Sequence, residues 1–271
     1  MTLHKKESYM KNLTFACLIS ILAVSAFGQR TFVSGTGSDL NPCSVSQPCR
    51  TLQQAINAVS AGGEVVVLDS AGYGTGVSIN KSVNILSPDG IYGVIQDGIT
   101  VNAGASDIIR IRGLDVLGST TASGNGVHVQ LCKRTELEKM RISHINVGVR
   151  VSNDVHVIMN NLTIADTITG IYSIGSGTAA GPGQTSPPLK VLVQNTNVFG
   201  ATVGVNIVAG SFWMVQGNSV TNCTQDPVLI AAGVTNCSQV SLGANGIYNN
   251  NVTAIADARN GMNNLGNCNA Q

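Results

Sequence analysis

Two glutamates two residues apart, Glu136 and Glu138, are the carboxylate pair best spaced for chemistry in this chain. On a strand, residues i and i+2 leave the same face about 6.5–7 Å apart, which suits a general acid and a general base flanking a glycosidic bond. Their setting, CKRTELEKMR (132–141), also supplies Lys133, Arg134, Lys139 and Arg141, so the pair reads as charge-balanced on a solvated face. Asp97, Asp107, Asp115, Asp154, Asp166 and Asp226 are scattered, and read as turn residues bonding their own backbone. His128, His144 and His156 do not sit near a G-x-S-x-G turn that would present a serine. No Cys-x-x-Cys or Cys/His pair stands at ligand spacing, so neither a metal nor a cofactor is expected. These residues assign no catalytic group.

What the chain offers instead is a row. Gly126-Val127-His128-Val129, Gly148-Val149-Arg150-Val151 and Gly170-Ile171-Tyr172-Ser173 recur with a period of 22, and Gly204-Val205-Asn206-Ile207 follows after 34, or 22 plus 12. A second phrase keeps the same count through Met140-Arg141-Ile142, Leu162-Thr163-Ile164, Thr196-Asn197-Val198 and Asn218-Ser219-Val220. The excess coincides with GSGTAAGPGQTSPP (175–188), which has no strand propensity. Within each unit apolar residues alternate with the strand period of two. Three short strands per unit, with no helix between them, stack as coils of a solenoid. Matching residues then pair in parallel at about 4.8 Å. The expected fold is all-β, a parallel β-helix of about 22-residue coils. Turn asparagines such as Asn161 and Asn195, one register apart, can form a side-chain ladder.

With the valines of the first phrase inward, the outward position reads Ser78, Thr100, His128, Arg150, Tyr172, Asn206, Val228. His128, Arg150, Tyr172 and Asn206 are the candidate binding residues. They offer hydrogen bonds, a cation and an aromatic face at a spacing close to that of a sugar chain. A second outward region aligns Arg134, His156, Lys190 and Phe212, with Glu136, Ile158, Leu192 and Met214 beside them. Ile158, Leu192, Phe212 and Met214 would form an exposed apolar patch, to be covered by 175–188 or by a protein partner.

The ends of the chain bound the setting. Lys5, Lys6 and Lys11 precede the apolar run Leu13 to Val24 and then Ser25-Ala26-Phe27-Gly28, the grammar of a secretory signal spanning 1–28. Met10 alone also heads a complete signal. The run is short for a membrane span, which needs roughly 20 residues, and no later segment is apolar enough. The expected location is therefore secreted, periplasmic or at the cell surface. Six cysteines follow Cys17 of the leader, and Cys43 and Cys49, flanking SVSQP, are the expected disulfide. The pairing of Cys132, Cys223, Cys237 and Cys268 stays open. In RTLQQAINAVSAGG (50–63), Leu52, Ala55, Ile56 and Val59 share one helical face and Gly62-Gly63 ends the helix. This segment caps the open end of the solenoid. Residues 29–63 thus form a stapled N-terminal segment with a capping helix, and 64–271 the β-helix. Only 11% of residues are charged and the formal net charge is +1, which offers nothing to a nucleic acid.

TLQQAINAVSAGGEVVVLDSAGYG (51–74) resembles the capping helix and first strand of the pectin-lyase-like right-handed β-helix superfamily. The preceding RTFVSGTGSDLNPCSVSQPCRT (30–51) resembles the entry segment of exported bacterial β-helix proteins without a defined activity. The resemblance implies right-handed winding and leaves the chemistry open, since this fold carries lyases, hydrolases, esterases and inert adhesins. The related polygalacturonases use Asn-Thr-Asp, Asp-Asp and Gly-His-Gly. Here Asn195-Thr196-Asn197 lacks the carboxylate, and the other two motifs do not occur. The expected function is an exported, non-catalytic β-helix protein that binds polysaccharide or serves at the bacterial surface. The alternatives are a polysaccharide lyase or glycoside hydrolase with an unrecognised site, and an adhesin-like module that binds protein.

Overall fold

Alternation of apolar and polar residues builds the walls of the molecule. In the strand His156–Asn160, Val157 and Met159 are buried while His156, Ile158 and Asn160 face outward. The strands Arg134–Glu138 and Lys190–Gln194 repeat this pattern and flank it in parallel, with Arg134, His156 and Lys190 in one column. Such rungs recur through the computed structural model, which describes residues 29–152, 155–174, 190–208, 211–214, 216–230, 240–241, 244–248 and 256–257. Among these residues the strands form parallel sheets of nine and eleven members, stacked as a β-solenoid. The fold is the parallel β-helix expected from the repeat. The expected leader 1–28, the segment 175–188, Cys237 and Cys268 lie outside the described residues.

The core consists of stacks running along the axis. On one wall Val65, Ile85, Ile111, Leu137, Met159, Val193 and Met214 are successive register partners, none more than 2% exposed. On another wall the stack is Val77, Ile99, Val127, Val149, Ile171, Val205 and Val228. The glycine that opens each copy of the repeated phrase has a steric cause. A Cβ on Gly148 would lie 2.5 Å from both the Gly170 carbonyl oxygen and Ile164 Cγ2. One on Gly170 would lie 2.5 Å from the Gly204 carbonyl oxygen and 2.4 Å from Val198 Cγ1. Consecutive coils pack so closely here that only glycine fits. The period of the sequence is thus written in a column of missing side chains.

A corner of the solenoid is turned by a column of left-handed residues: Gly113, Lys139, Asn161, Asn195 and Gly217, with φ from 48° to 78°. Asparagine and glycine enter this region at least cost. The side-chain ladder differs from the one expected. Asn161 and Asn195 face outward, and Asn195 Nδ2 donates to Asn160 Oδ1 at 3.0 Å. The buried ladder lies one position on, where Thr196 and Asn218 point inward. Asn218 Oδ1 accepts from the Thr196 N–H at 2.9 Å and its Nδ2 donates to the Val193 carbonyl at 3.1 Å. The left-handed residue itself swings its side chain out, which hands the interior to its successor.

The N-terminal cap is the helix Leu52–Ala58, with Thr51 Oγ1 accepting from the Gln54 N–H and Leu52, Ala55 and Ile56 buried. The helix is shorter than the sequence suggested: Val59 is already extended, and buried, so Gly62 serves the following turn. Cys43 and Cys49 form a disulfide beside it. Asp39 ties the staple to the helix, accepting from the backbone of Arg50 and Thr51 and from the Thr51 hydroxyl.

Two register expectations are overturned. After Lys190 the next rung arrives one position earlier than the repeat requires, pairing Val191 with Phe212, Leu192 with Trp213 and Val193 with Met214. A one-residue slip exchanges faces, and Met214 is accordingly 2% exposed, in the core stack. The run Phe212-Trp213-Met214 is apolar throughout, so alternation alone could not choose its face. After Asn206 the next rung arrives one position late, so Leu229 continues the outward row while Val228 is buried.

Candidate functional site

The outward row survives as a structural column. Register pairs Ser78 with Thr100, Thr100 with His128, His128 with Arg150, Arg150 with Tyr172, and Tyr172 with Asn206. Each of these side chains lies between two buried neighbours on its own strand, which aims the row away from the core. His128, Arg150, Tyr172 and Asn206 are half-buried, so they line a surface packed side by side along the axis.

Inside the row the side chains are joined. The Arg150 guanidinium stands over the Tyr172 ring. Arg150 Nε and Asn206 Oδ1 are buried atoms without a hydrogen-bond partner, one on either side of Tyr172. An unpaired buried polar atom costs about 1–3 kcal/mol. His128 Nε2 lies 3.0 Å from Ser152 Oγ, and Gln130 Nε2 lies 3.2 Å from His128 Nδ1. Burial, and then the charge of Arg150, holds the His128 pKa below the usual histidine range. Ser152 and Gln130 escaped the sequence reading, which sought a serine in a strand-to-helix turn. The register held the signal: Ser152 follows Arg150 by two, on the same face and one coil from His128.

The glutamates occupy the other wall. Glu136 Oε2 receives Arg110 Nε at 2.7 Å, and its Oε1 lies 2.8 Å from Arg134 Nε. The second contact is an ion pair by distance, although that N–H is not aimed at the oxygen. Glu138, a rung below Arg112, faces the same shallow cleft of about 330 Å³ together with Asn84 and Glu64. Lys139 Nζ reaches Asp89 instead, at 2.8 Å. Beside this cleft Ile158 and Leu192 face outward, with Trp213 paired to Leu192 in register, whereas Met214 is buried and leaves the expected patch. His156, between Arg134 and Lys190, has its pKa lowered by burial first and by those two cations next.

Cys132 is buried with its Sγ 3.2 Å from Thr135 Oγ1, and Cys223 is buried. Among the described residues no group of three or more His, Cys, Asp or Glu could hold a metal ion, and no helix is long and apolar enough to cross a membrane.

Fold and row together define a parallel β-helix with a polar and aromatic outward face. No protein-family model matches the chain, and no curated protein matches it. Among solved structures it is similar to a rhamnogalacturonan lyase, at 12% identity and a TM-score of 0.36, over 83% of this chain and 88% of that one. No residue role is carried over from that likeness.

Proposed function

We propose that this is an exported protein that binds a polysaccharide along the outward row, with His128, Arg150, Tyr172 and Asn206 as adjacent subsites. The observation that carries the reading is the axial column itself, in which half-buried His128, Arg150, Tyr172 and Asn206 face outward on successive rungs. A sugar chain laid along the axis meets the Tyr172 edge and face, a cation suited to a carboxylate or hydroxyl, and the side chain of Asn206. Rung spacing of about 4.8 Å puts neighbouring groups within reach of neighbouring sugars. Export accords with the leader grammar of residues 1–28 and with the disulfide between Cys43 and Cys49.

The test is binding of the purified secreted protein to a panel of acidic and neutral polysaccharides, with depolymerisation read in parallel. The expected result is binding that Tyr172→Ala weakens and Glu136→Gln, on the other wall, leaves unchanged. Depolymerisation abolished by Glu136→Gln would replace the binding reading with a hydrolytic one.

A further inference from the structure

We infer that Ser152, His128 and Gln130 form a nucleophile, base and orienting group, and that the outward row removes acyl groups from an esterified glycan. The sugar half of that substrate rests on the binding reading above; the acyl chemistry rests on the three side chains alone. Ser152 Oγ and His128 Nε2 stand 3.0 Å apart, within the range for proton transfer between a nucleophile and its base. The other ring nitrogen of His128 meets the Gln130 amide at 3.2 Å. Gln130 and His128 sit two apart on one strand, as Ser152 and Arg150 do on the next, so all four side chains leave the sheet on the same side.

The tautomer decides the direction of transfer. With the amide oxygen of Gln130 turned toward Nδ1, that nitrogen carries the proton and donates it, leaving Nε2 to accept from the Ser152 hydroxyl. Turning the amide about its last bond exchanges its nitrogen and oxygen without moving another heavy atom. Among the described residues the charged group facing the imidazole is Arg150; Thr100 on the preceding coil, Gln130 and Ser152 are neutral. His128 is accordingly uncharged at neutral pH, as a base must be.

The step balances with water alone. Ser152 Oγ attacks the ester carbonyl carbon while its proton passes to His128 Nε2, and the tetrahedral oxyanion forms beside the Arg150 guanidinium. The bond from carbonyl carbon to sugar oxygen breaks, and the imidazolium returns its proton to that oxygen. Water then attacks the acyl-serine with His128 as base, releasing a carboxylic acid and restoring the hydroxyl. Ser152 and His128 are the catalytic residues, and Gln130 is a positioning residue.

The full mature protein is treated with a fluorophosphonate probe, and 4-nitrophenyl acetate and O-acetylated xylan serve as substrates. The probe is expected on Ser152, with labelling and turnover falling on the order of 10²-fold or more in Ser152→Ala and His128→Ala. Gln130→Glu is expected to raise the pH midpoint of the acid limb of the rate profile, because a carboxylate stabilises the imidazolium; a purely structural Gln130 would leave the midpoint where it is. No label on Ser152, or turnover equal in wild type and Ser152→Ala, overturns the inference. Binding of deacetylated xylan without labelling overturns the acyl chemistry and leaves the binding reading standing. Labelling without glycan binding does the reverse.

Discussion

Arg150 stands over Tyr172, its guanidinium carbon 5.4 Å from the ring centroid, and the two are register partners on adjacent coils. A cation over a tyrosine face contributes about 0.5–1 kcal/mol at an exposed site. One face of the ring is therefore already occupied, and a bound sugar has the other face and the ring edge. The two residues act as one unit rather than as independent contacts. Alanine at either position is expected to weaken glycan binding by about 1–2 kcal/mol, and the double variant to lose less than the sum. Calorimetric titration of the four proteins measures the coupling; strict additivity would show two separate subsites.

Inward and outward positions alternate along the same phrase, so neighbouring substitutions should differ sharply. Val149 and Ile171 are fully buried. Aspartate at either leaves an unpaired charge in the core, with an expected cost of several kcal/mol and loss of the folded state. Arg150→Ser should remain folded, losing only its contact with Tyr172. Circular dichroism melts separate the two cases, and equal damage would overturn the inward and outward assignment.

The glycine column predicts a second pattern. Gly148→Ala presses a methyl group against the backbone of the next coil, a contact that a rotamer change cannot relieve. Overpacking of this kind costs about 1–3 kcal/mol. Gly72, where an added Cβ meets nothing within 4 Å, is the control and should tolerate alanine. A Gly148→Ala melting temperature equal to wild type would mean that the coils are farther apart than described.

The cap carries a pH-dependent element. The Tyr73 hydroxyl, the Gly35 N–H and the Ser34 hydroxyl all donate to the Asp69 carboxylate, which holds its pKa below the usual aspartate range. A depressed carboxylate contributes stability above its unfolded pKa and loses it as pH falls through the lowered folded value. Asp69→Asn is expected to cost about 1.5–3 kcal/mol at neutral pH. The gap to wild type should close on acidification below the ordinary aspartate range. Urea midpoints across that range test it, and a gap independent of pH would count against the carboxylate.

Export and oxidation are tested together. Mass spectrometry of secreted protein is expected to find a start near Gln29 and no alkylatable thiol at Cys43 or Cys49. An intact leader, or two reactive thiols there, would argue against an oxidising destination.

Legibility in the sequence followed the physics of each feature. The coils and the core stacks were readable because Gly148, Gly170 and Gly204 are fixed by backbone contact, and Val149 and Ile171 by alternation. The row from Ser78 to Asn206 was readable for the same reason. Register failed where alternation failed, at Phe212-Trp213-Met214, and where one residue entered a turn between Asn206 and Leu229. The contact of Ser152 with His128 needs both the register and a rotamer, and only the first can be counted along a chain. The inward ladder of Thr196 and Asn218 was missed because the backbone at Asn195 is left-handed, which no residue count reveals.

Tyr172 and Asn206 are neighbours on adjacent rungs although the chain takes a much longer path between them than between Arg150 and Tyr172. Chain length between Ile174 and Lys190 is thus decoupled from the spacing of the wall. Residues can be gained or lost there between generations while the rungs above and below keep their partners. A descendant could change the chain between these rungs without repacking a single valine, so novelty there comes cheaply to a lineage, whereas the glycine column forbids it everywhere it runs.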